Sequence, residues 1–404
     1  MERIMKKRIA VLLTLTLLLA SLCGCGGVVS VSASAVPEAQ RVKIALWYAP
    51  NGSPLWDNFT ALLADYNNGS GATAGIRVSA KAFSSESELL TALSEAGAAA
   101  PAAVICGLSA ALSLSGGAVM PATDTFFSAA GLGSIQSAYL DACAPDGKLL
   151  CVPLAAAPYL LLVNRSLASG AAYPDTQLAT PEGVCGAAQK YNDDTGKHFF
   201  TADDFTALFR VGLAQYGDQF HASREQDIKN KHYVTLYNLL AEAAYNGGVT
   251  AVDGDAAKAV AAGELACAIV SASEIMEYAA DPDTLSVLPY PVVSGGTALY
   301  PASLLTAAIT SSGSEDQTAA AVFLSWLLGN GDTLTANSGY YPSTQALSSV
   351  SAGSGASPMA AAVTAAVKAM AANGTVSLPA PSAAGYAADT AFEASFRETL
   401  AGLN

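Results

Sequence analysis

The sequence predicts an α/β protein of two lobes, and three observations carry that expectation. Strand-like apolar segments alternate with segments at helical spacing. Behind an N-terminal leader about 380 residues remain, more than the ~250 to 300 at which a single hydrophobic core stops growing. Three extended segments bearing Pro or Tyr, at 149–164, 286–291 and 338–342, have the character of crossings between lobes.

The composition is unusually apolar, and a leader accounts for its one long uncharged stretch. The chain of 404 residues is 52% hydrophobic and only 13% charged, with mean hydropathy +0.36, against a usual charged share of about 25%. Most of the excess is Ala, Val and Leu in short runs broken by Gly, Ser, Pro and Asp, which excludes a protein of many membrane spans. The stretch Ile9 to Leu22 is long and uncharged, yet shorter than the ~20 residues of a spanning helix. It follows Arg3, Lys6, Lys7 and Arg8, the pattern of an export signal. Leu22-Cys23-Gly24-Cys25-Gly26-Gly27 comes next. It resembles a bacterial lipobox with Cys25 as the lipidated residue; Cys23 is the weaker candidate because Leu22 precedes it. A lipoprotein signal is preferred over an ordinary cleaved one because Cys rarely occupies such a cleavage site otherwise. Residues 26–40 are then a flexible tether, and the protein is expected to be exported and held on the outer face of the cell membrane.

Removal of Glu2 and the four basic residues with the leader takes the net charge from −14 to about −17. An acidic body disfavours nucleic-acid and anionic-membrane binding. Cys106, Cys143, Cys151, Cys185 and Cys267 remain, an odd number in a long chain, which is not a disulfide framework. Cys143 and Cys151 bracket the turn Pro145-Asp146-Gly147 and could bridge, although the commonest hairpin registers do not set them directly opposite; that bridge is left open.

The elements follow in order. Val42 to Ala49 (VKIALWYA) is a strand; Trp56 to Tyr66 is a helix ended by Asn67-Asn68-Gly69; Ile76 to Phe83 (IRVSAKAF) is a second strand. Glu86 to Ala96 is helical and Ala102 to Cys106 a short buried strand, so the opening is β-α-β-α-β on a parallel sheet. Leu149 to Asn164 (LLCVPLAAAPYLLLVN) contains Pro153 and Pro158, which exclude a regular central strand; it is taken as the first crossing, with Tyr159 to Val163 starting the second sheet. Helices follow at 182–191, at 202–216 behind a Thr201 N-cap, at 233–245 and at 255–262. Ala266 to Val270 is a strand and SVLPYP at 286–291 a second crossing. A Gly295-Gly296 turn, a strand at 304–309, a helix at 315–328 (EDQTAAAVFLSWLL) and the crossing Ser338-Gly339-Tyr340-Tyr341-Pro342 come next. Ser348 to Ser357 is a Gly/Ser-rich loop before helices at 360–372 and 387–400.

These segments in this order, with GELACAIVSASEI at 263–275 and SGYYPST at 338–344, resemble the extracellular solute-binding proteins of ABC transporters, family 1. The nearest branch is similar to glycerol-3-phosphate and oligosaccharide binders, over roughly residues 41–347. The resemblance implies a two-lobed periplasmic-binding-protein-like fold with hinge crossings and a ligand cleft between the lobes. Lobe 1 would comprise 41–152 plus 289–338 and lobe 2 153–288 plus 339–404. It further implies a monomer without cofactor or metal that captures a sugar-like solute by cleft closure and delivers it to an ABC permease in the membrane.

The ligand contacts it implies are Gly295 and Gly296, Tyr340 at the third crossing, and Ser271 and Ser273 after a strand. Trp47 and Tyr48 join them because open α/β sheets place ligands at the carboxyl ends of their strands. Trp326 and Trp56 are assigned to packing, and Tyr159 and Tyr341 rank below Tyr340. Where the branch carries polar residues after the crossing proline, this chain has Leu154-Ala155-Ala156-Ala157. Leu108 falls at its acidic position, and only Ser and Ala stand near 382–384 where it has an arginine, with Arg397 too far along a helix. Phe199, Phe200 and Tyr216 are candidate substitutes for a shortened aromatic segment. Glycerol-3-phosphate specificity is therefore not expected. A degenerate relative, acting as a sensor or interaction partner without transport, is the alternative.

An enzyme is not expected. His198, His221 and His232 have no zinc-binding spacing, no Gly-x-Ser-x-Gly elbow is present, and the Gly pair lacks a phosphate-loop lysine. Asp193-Asp194 and Asp203-Asp204 sit at a loop and at a helix start, where acids favour the helix dipole.

Overall fold

The computed structural model describes residues 35–49, 54–114, 119–120, 126, 132–222, 228–252, 255–278, 283–310, 313–353, 355–378 and 383–403. The signal segment, Cys25 and most of the expected tether lie outside them.

The first lobe opens with β1 (Val42–Tyr48), α1 (Leu55–Asn68), β2 (Ile76–Ala82), α2 (Glu86–Ala96), β3 (Ala103–Gly107) and α3 (Leu108–Ser113). β1 lies parallel to both β2 and β3, the consequence of helical crossovers between them. α1 buries Leu55, Trp56, Phe59, Leu62 and Tyr66, one stripe at helical spacing. α2 starts on a capping arrangement: the Ser85 hydroxyl accepts from the Glu88 N–H at 3.1 Å, and the Glu88 carboxylate accepts from the Ser84 N–H at 2.8 Å.

The long strand β4 (Val152–Asn164) leads into the second lobe, which holds α4 (Pro181–Thr195), β5 (Phe200–Ala202), α5 (Phe205–Gln215), α6 (Lys231–Tyr245), α7 (Ala256–Ala261), β6 (Cys267–Ser271), α8 (Ala272–Tyr278) and β7 (Leu285–Leu288). β8 (Ala302–Thr310) and α9 (Ser314–Gly329) return to the first lobe, and α10 (Pro358–Asn373) and α11 (Ala383–Leu403) finish on the second. The strand order is β2-β1-β3-β8-β4-β6-β5. The sheet is mixed, because β8 runs antiparallel to both β3 and β4.

Two separate apolar cores form on this frame. Leu46, Phe59, Ile105, Leu154 and Phe323 belong to one; Leu161, Phe199, Phe209, Ile269, Val363 and Leu400 belong to the other. The change of core falls after Ala157, after Tyr300 and between Tyr340 and Tyr341, downstream of the boundaries expected at 152 and 288.

Three local expectations are corrected. β4 is a strand through both prolines, because the ladder is already interrupted where each one stands. Pro153 faces a register shift between Leu305 and Thr306, and Pro158 makes the last pair before β4 leaves β8 for β6. Thr201 is not a helix cap: it is buried in β5, and α5 starts later, with the Asp204 carboxylate accepting from the Ala207 N–H at 2.7 Å. The third correction concerns α11, which begins at Ala383 and drives Phe396 and Leu400 into the second core beside Phe205 and Phe209. Among the described residues all five cysteines are buried free thiols, and those of Cys143 and Cys151 touch through a hydrogen bond.

At the third crossing Gly339 has φ of 75°, and a Cβ there would lie 2.1 Å from the Ala272 carbonyl oxygen. Gly339→Ala combines left-handed strain with a backbone clash and is expected to destabilise the protein by about 2 kcal/mol or more. Thermal unfolding checks this; a variant that melts with the parent would show that the crossing does not pack on α8 so tightly.

Candidate functional site

Because β4, β8 and the Tyr340 segment join the lobes, the space beside them is walled by both. A cavity of about 930 Å³ lies there. From the first lobe come Trp56 of α1, Glu86 at the start of α2, and Gly107 to Ser109 at the turn from β3 into α3. The second lobe contributes Asp203 and Asp204 before α5, Arg210 on α5, Glu274 on α8, and Asp389, Glu393 and Arg397 on α11. Tyr159, Pro301 and Tyr340 supply the floor at the crossings. α11 also packs against α3, so the C-terminal helix touches both sides.

The residues expected as contacts divide into two layers. Tyr340 lines the cavity. Tyr48 does not; its ring stacks on Trp56, centroids 4.8 Å apart, and so fixes the aromatic face that does. Trp47 packs against Phe83 at 5.1 Å with the Lys81 ammonium over its ring. Ser271 and Ser273 are buried and hydrogen-bond to each other at 2.9 Å, and Ser271 Oγ accepts from the Glu274 N–H at 3.3 Å. They set the first turn of α8, hence Glu274. Gly295 and Gly296 form a turn held to the end of α5, with the Thr297 N–H donating to the Gln215 carbonyl at 2.8 Å, away from the cavity. Phe199 and Phe200 are core residues, and Tyr216 stacks on His232.

Two features of the lining escape sequence reasoning. Trp56 is buried and packs on Phe59, as a core residue would, yet part of it faces the cavity. Arg397 reaches the site because α11 folds back across the second lobe, a tertiary event with no local signal. The Leu108 position also has a substitute: Glu86 Oε1 accepts from the Gly107 N–H at 2.5 Å, which puts a carboxylate beside Leu108. Leu154 and the three alanines after it lie in the first core.

The electrostatics are lopsided. Arg397 donates to Glu393 at 2.7 Å and to the carbonyls of Ala202, Asp203 and Val252 at 3.2, 2.5 and 3.3 Å. Glu393 also accepts from the Thr206 N–H and hydroxyl at 2.7 and 2.9 Å. Arg210 is paired with Asp389. Among the described residues no ion pair is formed by Asp203, Asp204 or Glu274, although Arg397 and Arg210 lie close enough to favour the charged forms of Asp203 and Asp204. Burial pushes the Asp204 carboxyl up to about 6, against the helix-cap bond that lowers it. Burial, then a bond to Asp203, holds the Glu274 carboxyl well above the usual carboxylate range, and burial raises Asp203 too. Aromatic faces beside hydrogen-bond acceptors suit a polyhydroxylated solute. Among the described residues no cluster of His, Cys, Asp or Glu is arranged to hold a metal ion.

Two lobes on a shared sheet with a polar cavity at the crossings define a solute-binding architecture. A model of bacterial extracellular solute-binding proteins matches residues 61–372, and the chain belongs to that family. Among solved structures it is similar to the cyclic alpha-maltosyl-1,6-maltose binding protein from Arthrobacter globiformis, at 19% identity over 90% of this chain and 95% of the other, with a TM-score of 0.72. A maltose-bound MalE3 from T. maritima matches at 16% identity, 89% and 98% coverage and a TM-score of 0.66. An ABC substrate-binding protein from Listeria monocytogenes in complex with cycloalternan matches at 13%, 90% and 95%, and 0.69. These likenesses establish the two-lobed periplasmic-binding-protein-like fold. No curated protein matches the sequence.

The raised Asp204 carboxyl favours its neutral form in the fold, so its contribution to stability is complete near pH 4 and is lost as pH rises through about 6. Asp204→Asn keeps a good N-cap and removes the charge. The variant is expected to melt with the parent near pH 4 and above it at pH 7 to 8, by up to about 3 kcal/mol. Parallel stability profiles over that range would contradict this assignment.

Proposed function

We propose that the protein is the substrate-binding lipoprotein of an ABC importer, anchored through Cys25, which captures an oligosaccharide or related polar solute between its lobes and performs no catalysis. The observation that carries this reading is the cavity at the crossings, where Trp56 and Tyr340 offer ring faces and carboxylates offer hydroxyl acceptors. Sugar recognition needs both, since apolar ring faces stack while directed hydrogen bonds fix orientation. A solute touching Trp56 and Glu86 on one side and Asp204 on the other stabilises the closed arrangement alone, and closure is what a membrane permease would recognise. Trp47, Tyr48, Ser271 and Ser273 serve this site from behind, and the lobes divide at the core changes described above.

The degenerate alternative rested on the alanines of the first crossing. Since these pack in a core, the cavity keeps its polar wall without them, and the binding reading is favoured.

Thermal-shift titration with linear and cyclic oligosaccharides tests the proposal. A bound solute at a hundred times its Kd is expected to add about 2.7 kcal/mol of stability. Trp56→Ala and Tyr340→Ala should each weaken the response tenfold or more. Silence of the parent across neutral, amino and acidic sugars would overturn the reading.

A further inference from the structure

We propose that the solute carries a basic nitrogen, and that its ammonium docks on Asp203, Asp204 and Glu274, displacing a proton that Asp203 and Glu274 share. The inference rests on the solute-binding reading above and names the class of solute.

Three observations support it. Both guanidinium groups of the lining are already committed, Arg210 to Asp389 and Arg397 to Glu393 and three backbone carbonyls. An anionic group entering the cavity therefore meets no uncommitted cation among the lining residues. Second, one buried oxygen of Asp203 receives no hydrogen bond from any protein N–H or neutral hydroxyl. Its other oxygen accepts from the Ala256 N–H at 3.3 Å. The Asp203 and Glu274 carboxyls also bond to each other, which they do when Glu274 is protonated and donates. Third, the cavity wall collects carboxyl groups from separate elements. Asp204 stands beside the pair at the start of α5 and Glu86 on the opposite lobe, and Tyr159, which feels the charge of Asp203, Asp204 and Glu274, lines the same cavity with Tyr340.

The groups facing the pair add to this bias. Asp255 ahead of α7 and Glu277 on α8 are both acidic and sit within its field. Arg397 on α11 is the cation that acts on it, and its hydrogen bond to Asp203 is to the backbone carbonyl. A neutral hydroxyl would leave this charge where it is. An ammonium supplies three donors and a positive charge to carboxyls that so far accept single bonds from the neutral N–H groups of Ala256, Ala207 and Ser271. The exchange balances: R–NH₃⁺ enters with all its protons, the shared proton leaves to solvent, and the pair passes from one negative charge to two.

Calorimetric titration of the purified protein tests this with glucosamine oligosaccharides, their N-acetylated counterparts and maltooligosaccharides of equal length. At pH 5.5, in buffers of different ionisation enthalpy, the free-amine series is expected to bind at least tenfold tighter than the acetylated one and to release more than one proton per solute, one from the shared pair and a further fraction from Asp204, whose carboxyl at about 6 is still largely protonated there. Glu274→Gln should lower the proton release by about one per solute and remove most of the preference; Asp203→Asn is the second variant, should the first fail to fold. Equal or tighter binding of the acetylated series, or binding without proton release, would overturn the proposal. Maltooligosaccharide binding with no response to the amines would overturn it and leave the solute-binding reading standing, whereas silence of all three series would remove both.

Discussion

One strand belongs to two cores, and the rest of the molecule is arranged around that constraint. β4 pairs with β8 up to Pro158 and with β6 and β7 from Tyr159 onward. Its side chains up to Ala157 pack in the first lobe and those from Leu160 in the second. A strand cannot serve two cores without a place where neither claims it, and at that place the backbone changes partners. Pro158 suits the position because a missing N–H costs least at a break in the ladder. Tyr159, the first residue past it, then lines the cavity while packing against the second core.

The same argument places the rest of the site. The second and third crossings, at Pro301 and Tyr340, run alongside β4, since the Tyr159 N–H donates to the Pro301 carbonyl and Tyr341 pairs with Ala156. The cavity floor is therefore built from three segments distant in sequence. Its walls come from helix starts, where α2, α5 and α8 present Glu86, Asp204 and Glu274. Acids are favoured at such positions by the helix dipole, and the cavity puts them to a second use. The cost is visible in the raised carboxyls of Asp204 and Glu274.

Much of the fold was legible because periodicity and punctuation are local. The helices at α1, α2 and α6 and the strands β1 to β3 follow from apolar spacing and from stop signals such as Gly69. The first and third crossings are legible as extended segments and Tyr340 lines the cavity, whereas the segment expected as the second crossing, 286–291, lies within the second lobe, with β7 paired to β4, and the chain crosses after Tyr300. What escaped depends on distant partners. Nothing in Thr201 and Asp204 says locally which one begins the helix, because β5 exists only through its pairing with β6. Trp56 has the spacing of a core residue and is one on its inner side. Arg397 seemed out of reach because the return of α11 across the second lobe is driven by Phe396 and Leu400 entering a core assembled from other helices. The alanines at 155–157 misled in the opposite direction: a run of small residues at a crossing suggested an emptied cleft, whereas strand pairing on both sides buries them.

The solute is expected to bind between the lobes, on the Trp56 face. The chain has three tryptophans, so replacing Trp47 and Trp326 by Phe leaves Trp56 as the sole indole reporter. The most direct measurement is its fluorescence during titration with an oligosaccharide that stabilises the protein. A saturable change in Trp56 emission, with the same midpoint as the stabilisation, is the expected result. Stabilisation that leaves Trp56 emission unaltered would place the solute elsewhere and contradict the account.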